Sequence, residues 1–121
     1  MSLKTANYKF NHVGVPIATD NVQPDEIYFE ALQLYATDPD KTEYKIEYLR
    51  PAPGCTFFPI LLANPHVSYQ VDDLEKALEG EKVVVPPFSP MPGRTIAFIE
   101  VNGFIFELAY DEPAGVCPIE A

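Results

Sequence analysis

Short stretches of alternating apolar and polar residues run through most of this chain, and only one segment carries the wider spacing of an amphipathic helix. Tyr8 to Ile17 is rich in β-branched and aromatic residues and predicts a strand that Pro16 ends or frays. Residues 18 to 26 are polar and turn-forming, with room for no more than a short helical turn. Ile27 to Thr37 predicts a second strand. Asp38-Pro39-Asp40 then turns the chain into a third, from about Glu43 to Arg50. Pro51 to Pro65 holds four of the thirteen prolines and reads as a linker, with Phe57, Phe58, Ile60, Leu61 and Leu62 packing on the core or on a partner.

The second half is more regular. His66 to Val71 predicts a strand, and Asp72-Asp73-Leu74-Glu75 offers a capping aspartate with a carboxylate three residues on, opening a short helix. Leu74, Ala77 and Leu78 fall on one face of that helix, and Gly80 suits its C-terminal cap. Lys82 to Val85 is the next strand, followed by a loop from Pro86 to Gly93 that serves as a stiff connection or a pocket rim. Arg94 to Val101 and Phe104 to Tyr110 are joined by Asn102-Gly103, a strong signal for a type I′ hairpin because both turn residues must take positive φ. The second half is thus β-α-β-β-β.

The hairpin register fixes one face. Val101 pairs with Phe104, which places Phe98 opposite Glu107. Alternation then adds Ile96 and Glu100 on one strand and Ile105 and Ala109 on the other, so that Glu107 projects on a mostly apolar surface, where a carboxylate needs a partner or a metal. By the same alternation Phe10, His12 and Gly14 share a face, as do His66, Ser68 and Gln70.

Composition narrows the function. A chain of 121 residues, 47% apolar, is long enough for one domain with a real core or two small modules that share one. A net charge of −10 leaves no basic stripe for nucleic acid or an anionic membrane. The N-terminus lacks the apolar core of a signal peptide, and the longest apolar stretch, near Phe57 to Ala63, is too short to span a bilayer. A soluble cytoplasmic protein is expected. Cys55 and Cys117 sit in no ligand-like spacing and read as free thiols, while Asp111, Glu112 and Glu120 read as a solvated tail.

The candidate chemistry lies in an internal repeat. The chain has two histidines, and each opens a similar phrase: Asn11-His12-Val13-Gly14-Val15-Pro16 and Pro65-His66-Val67-Ser68-Tyr69-Gln70. Each phrase is followed by a strand-like segment with a central carboxylate, Glu47 or Glu107. The His-to-Glu separations are 35 residues (47 minus 12) and 41 residues (107 minus 66). Two histidines and two glutamates can meet at one metal. A slip of one residue would turn Glu47 to the opposite face and leave Glu43 as a weaker substitute.

On these phrases, the proline-rich loop up to Gly93 and the closing segment Ala97 to Leu108, the chain resembles the vicinal oxygen chelate superfamily, which includes the glyoxalase, bleomycin-resistance and dioxygenase proteins. The resemblance spans Tyr8 to Tyr110 and is closest to glyoxalase I-like and methylmalonyl-CoA epimerase-like members. It implies an α+β fold in which two βαβββ modules form a curved mixed sheet around a metal-binding cleft, the first module having a reduced or missing helix. The expected organisation is a single glyoxalase-like domain over 1–121. Module one covers about 8–50, the linker 51–65, module two 66–110 and a C-terminal tail 111–121.

The resemblance also implies His12, Glu47, His66 and Glu107 as ligands of one divalent ion, Zn, Ni, Co, Mn or Fe, in a homodimeric protein. Glu47 and Glu107 are the candidate catalytic groups, and Phe98, Ile96, Ile105, Met91 and Arg94 the candidate lining of a substrate pocket. Two imidazoles and two carboxylates form a charge-balanced site with two octahedral positions open for a small-molecule substrate. A carbonyl there is polarised and its neighbouring C–H made acidic, so isomerisation, epimerisation or C–S lyase chemistry is expected. Two other readings stand beside it. One is an extradiol-dioxygenase-like Fe(II) enzyme using His12, His66 and Glu107, and the other a non-catalytic module that binds a small molecule or antibiotic. A cupin is excluded by the absence of a His-x-His motif.

Overall fold

The computed structural model describes residues 7–112. Among them are eight strands and two short α-helices: β1 (Lys9–Pro16), β2 (Ile27–Phe29), β3 (Leu34–Ala36), β4 (Ile46–Pro51), α1 (Pro59–Ala63), β5 (His66–Gln70), α2 (Leu74–Leu78), β6 (Lys82–Met91), β7 (Arg94–Val101) and β8 (Phe104–Asp111). The pairing is mixed, parallel between β1 and β4 and antiparallel within the hairpins, which makes this an α+β fold. The described residues divide into two compact units, one formed by 11–68 and the other by 7–10 with 69–112. The division passes within β1 and within β5. Cys117, Glu120 and the rest of the tail beyond Glu112 lie outside the described residues.

In the unit of residues 11–68 the strands run β2-β3-β4-β1-β5. Its core is Leu34, Ala36 and Leu49, against which Phe29, Leu32, Phe57 and Leu62 pack. No α-helix separates β1 from β2, as the shortened first module implies. The expected strand over Ile27 to Thr37 is instead a tight antiparallel pair, β2 and β3, joined by a 3-10 turn at Glu30–Leu32. Gln33 closes that turn with φ of 54°, a left-handed conformation adopted here without glycine. The next strand begins at Ile46 rather than Glu43, because a second 3-10 turn at Pro39–Lys41 and a positive φ at Lys45 precede it. The presumed linker also contains structure: Pro59, pre-set for a first helical turn, starts α1, and Leu61 is buried.

The segment that replaces the first-module helix is anchored by one side chain. Arg50 donates from Nε and Nη2 to the two carboxylate oxygens of Glu26, both at 2.7 Å, and from Nη1 to the Thr19 carbonyl at 2.7 Å. Its guanidinium carbon lies 4.0 Å from the centre of the Tyr35 ring, which pairs in register with Arg50 on one side and Tyr28 on the other. Hydrogen bonding from Arg50 holds the Glu26 carboxyl below the ordinary carboxylate range, and Glu26 in turn raises Arg50. A group that releases its proton more readily when folded stabilises the native state above its unfolded pKa, and that stabilisation is lost as pH falls through the folded value. Glu26→Gln is therefore expected to lower the melting temperature at neutral pH and to flatten the loss of stability below the usual carboxylate range. Thermal melts of both proteins as a function of pH check this. Parallel curves would show that the pair carries no such linkage.

In the other unit, β8 pairs with β7 and β7 with β6. The β7–β8 register is Phe98 with Glu107 and Val101 with Phe104, and Asn102 and Gly103 both take positive φ, at 52° and 87°. The core of this unit is Val71, Ala77, Ile99 and Leu108, joined by Tyr8, Tyr69, Leu74, Leu78 and Phe106. Asp73 caps α2 by accepting from the Lys76 amide at 3.0 Å, and Gly80 follows the helix at φ of 75°. The loop expected over Pro86 to Gly93 is corrected: β6 continues to Met91 despite three prolines, with register shifts against β7 at each irregularity. Strand β6 is the last of the order, and an edge strand tolerates the missing N–H groups.

Candidate metal centre

Strand alternation brings both histidines to buried positions. On β1 the buried residues are His12 and Gly14, and on β5 they are His66 and Ser68. The parallel pairing of β1 with β4 places Glu47 in register with Gly14, on the face of β4 that also carries the core residue Leu49. That register settles the question of a slipped strand.

One possible donor atom from each of His12, Glu47 and His66 lies within 4.8 Å of the others. Nε2 of His12 is 3.4 Å from Oε1 of Glu47. The two imidazoles meet edge to face, with ring centres 5.7 Å apart and an interplanar angle of 77°. Asn11 orients the first of them: its Oδ1 accepts from Nδ1 of His12 at 2.6 Å. With Nδ1 donating, the neutral ring carries its lone pair on Nε2, the nitrogen beside Glu47.

This donor set fits a divalent ion. Imidazole nitrogens and a carboxylate oxygen suit Zn, Co, Ni and Fe, and the three residues would hold such an ion between them. Glu107 lies in the other unit, on β8, where it is buried and in register with Phe98. It is not one of the three residues that form the group.

The residues expected to line a pocket fall into two sets. Ile96, Phe98 and Ile105 share the face of Glu107 and are all buried. Met91 and Arg94 lie at the β6–β7 turn beside a cleft of 760 Å³, and there Arg94 donates to both carboxylate oxygens of Asp111, at 2.6 and 3.0 Å. Reading the sequence assigned no role to Asn11, Gly14 or Ser68. Ser68 is fully buried, and its hydroxyl has no hydrogen-bond partner among the described residues. Its place two residues after His66 on one strand face was the available signal.

No family model matches the sequence, and a search of curated proteins found no match. The structure is similar to that of a hypothetical protein from Bacillus halodurans C-125, with a TM-score of 0.68 and 14% identity, covering 91% of this chain and 99% of the other. It is also similar to a mutant of 4-hydroxymandelate synthase from Streptomyces coelicolor, with a TM-score of 0.54 and 11% identity, covering 92% of this chain and 50% of that one. The chain shares their fold. Among the described residues no helix is long and apolar enough to cross a membrane.

Proposed function

We propose that this chain is a divalent-metal enzyme of the vicinal oxygen chelate type, which moves a proton next to the carbonyl of a small, oxygen-rich substrate. The observation that carries the reading is the joint position of His12, Glu47 and His66. Glu47 matters most here, because a carboxylate from the first module belongs to the glyoxalase-like and epimerase-like ligand pattern and is a bystander in the extradiol pattern as read from the sequence. A bound divalent ion would supply Lewis acidity, making the C–H beside the carbonyl acidic. Glu107 enters from the sequence alone, as a further ligand and the base that takes the proton and returns it. The Ser68 hydroxyl is suited to hold a substrate oxygen, since a buried hydroxyl without a partner is costly.

A second reading has its own support. Non-haem Fe(II) oxygenases use two histidines and one carboxylate, which in this reading are His12, His66 and Glu107, and the fold is shared with 4-hydroxymandelate synthase. One experiment separates the two. Protein loaded with Zn(II), Co(II), Ni(II), Mn(II) or Fe(II) is incubated in deuterated water with a panel of α-oxygenated carbonyl compounds and catechols, recording deuterium incorporation and oxygen uptake. Proton transfer predicts deuterium next to the carbonyl without oxygen consumption, and a decrease of roughly 10²–10⁴-fold in Glu107→Gln. Oxygen uptake restricted to the Fe(II) form selects the oxygenase. Inertness with every metal, alongside tight binding of a small molecule by metal-free protein, selects the non-catalytic module.

A further inference from the structure

Gly14 differs from the other described glycines. Gly54, Gly80, Gly93 and Gly103 take positive φ, where side chains are strained, and an added Cβ would meet open space or one distant atom. Gly14 is the reverse: its φ lies outside the positive range, so no backbone demand calls for glycine. An added Cβ would instead overlap the His66 imidazole, with Cε1, Nε2 and Nδ1 as its nearest atoms. Space alone excludes a side chain at this position.

We propose that Gly14 is a positioning residue, the seat against which the His66 imidazole rests so that its nitrogen meets Glu47 and His12. Three observations converge on it. Gly14 follows His12 by two residues on the same face of β1, is in register with Glu47, and lies under the ring of His66. The ring has little room to yield, because His66 is only 2% exposed and the His12 ring stands edge to face with it. A methyl group at 14 thus forces the imidazole out of its place, removing a ligand without altering any ligand residue. The effect on metal affinity rests on the metal-enzyme reading. The seating of the ring does not.

The test compares wild type with Gly14→Ala by two readouts. Co(II) titration followed by visible absorption gives metal affinity, and carbethoxylation of His66 in metal-free protein, located by mass spectrometry, gives ring accessibility. Gly14→Ala is expected to weaken Co(II) binding by about 10–100-fold, the scale of losing a group that orients a ligand, and to speed His66 modification. Because the substitution also strains the fold, Gly14→Ala is made in a His66→Ala background as well. Its stability cost should largely vanish once the imidazole is gone, the signature of direct contact in a double-mutant cycle. Unchanged Co(II) affinity with unchanged His66 protection, or a stability cost that persists without the imidazole, overturns the proposal. If wild type takes up no Co(II), the metal reading fails, and the seat is decided by His66 reactivity and the cycle alone.

Discussion

His66→Ala should abolish retention of a divalent metal. His12, Glu47 and His66 each offer one donor atom, and removing His66 leaves one imidazole and one carboxylate of that group. The loss should exceed the roughly 10–100-fold that follows removal of an outer hydrogen-bond partner, because a direct ligand bond disappears. Elemental analysis of protein purified without chelators, followed by calorimetric rebinding, measures it. One ion per chain in wild type and none in the variant is the expected result. An ion retained at full affinity by His66→Ala would place the metal elsewhere and remove the basis of the proposed chemistry.

Leu108→Ala should make the protein unfold far more readily, although it replaces none of the candidate ligands. Leu108 is 2% exposed and sits in the core with Val71, Ala77 and Ile99, where its removal leaves a cavity that the surrounding strands and α2 cannot close. A cost of about 2–5 kcal/mol is expected, combining lost transfer energy with the void left behind. Urea denaturation checks it: the midpoint should fall with little change in slope. A shift within the range of ordinary surface substitutions, roughly 0.5 kcal/mol, would mean that the core relaxes around the void.

Much of the candidate site was legible in the sequence because repetition and alternation carried it. The paired phrases around His12 and His66 marked both imidazoles, and Asn102-Gly103 fixed the register that puts Phe98 opposite Glu107. Glu47 needed the structure, since a one-residue slip would reverse its direction and only the parallel register with Gly14 decides it. The β2–β3 pair was hidden because its turn contains neither glycine nor proline, and Gln33 adopts the left-handed conformation unaided. The length of β6 was hidden for the opposite reason: Pro86, Pro87 and Pro90 signal a loop, yet an edge position excuses them. Glu26 and Arg50 are far apart in sequence, and no periodicity relates a loop carboxylate to a strand guanidinium. Gly14 looked like any strand glycine until the ring above it was seen.

The parallel pairing of β1 with β4 also bears on how the protein comes together. Gly14 and Glu47 are partners across 33 residues (47 minus 14), and a parallel pair cannot be closed by a tight turn, so the chain between them is taken up by a longer connection that includes the β2–β3 pair. Such non-local contacts form slowly, because the entropy of closing the loop is lost before the contact rewards it. The meeting of Glu47 with Gly14 is thus a contact whose formation depends on closing the whole segment between them.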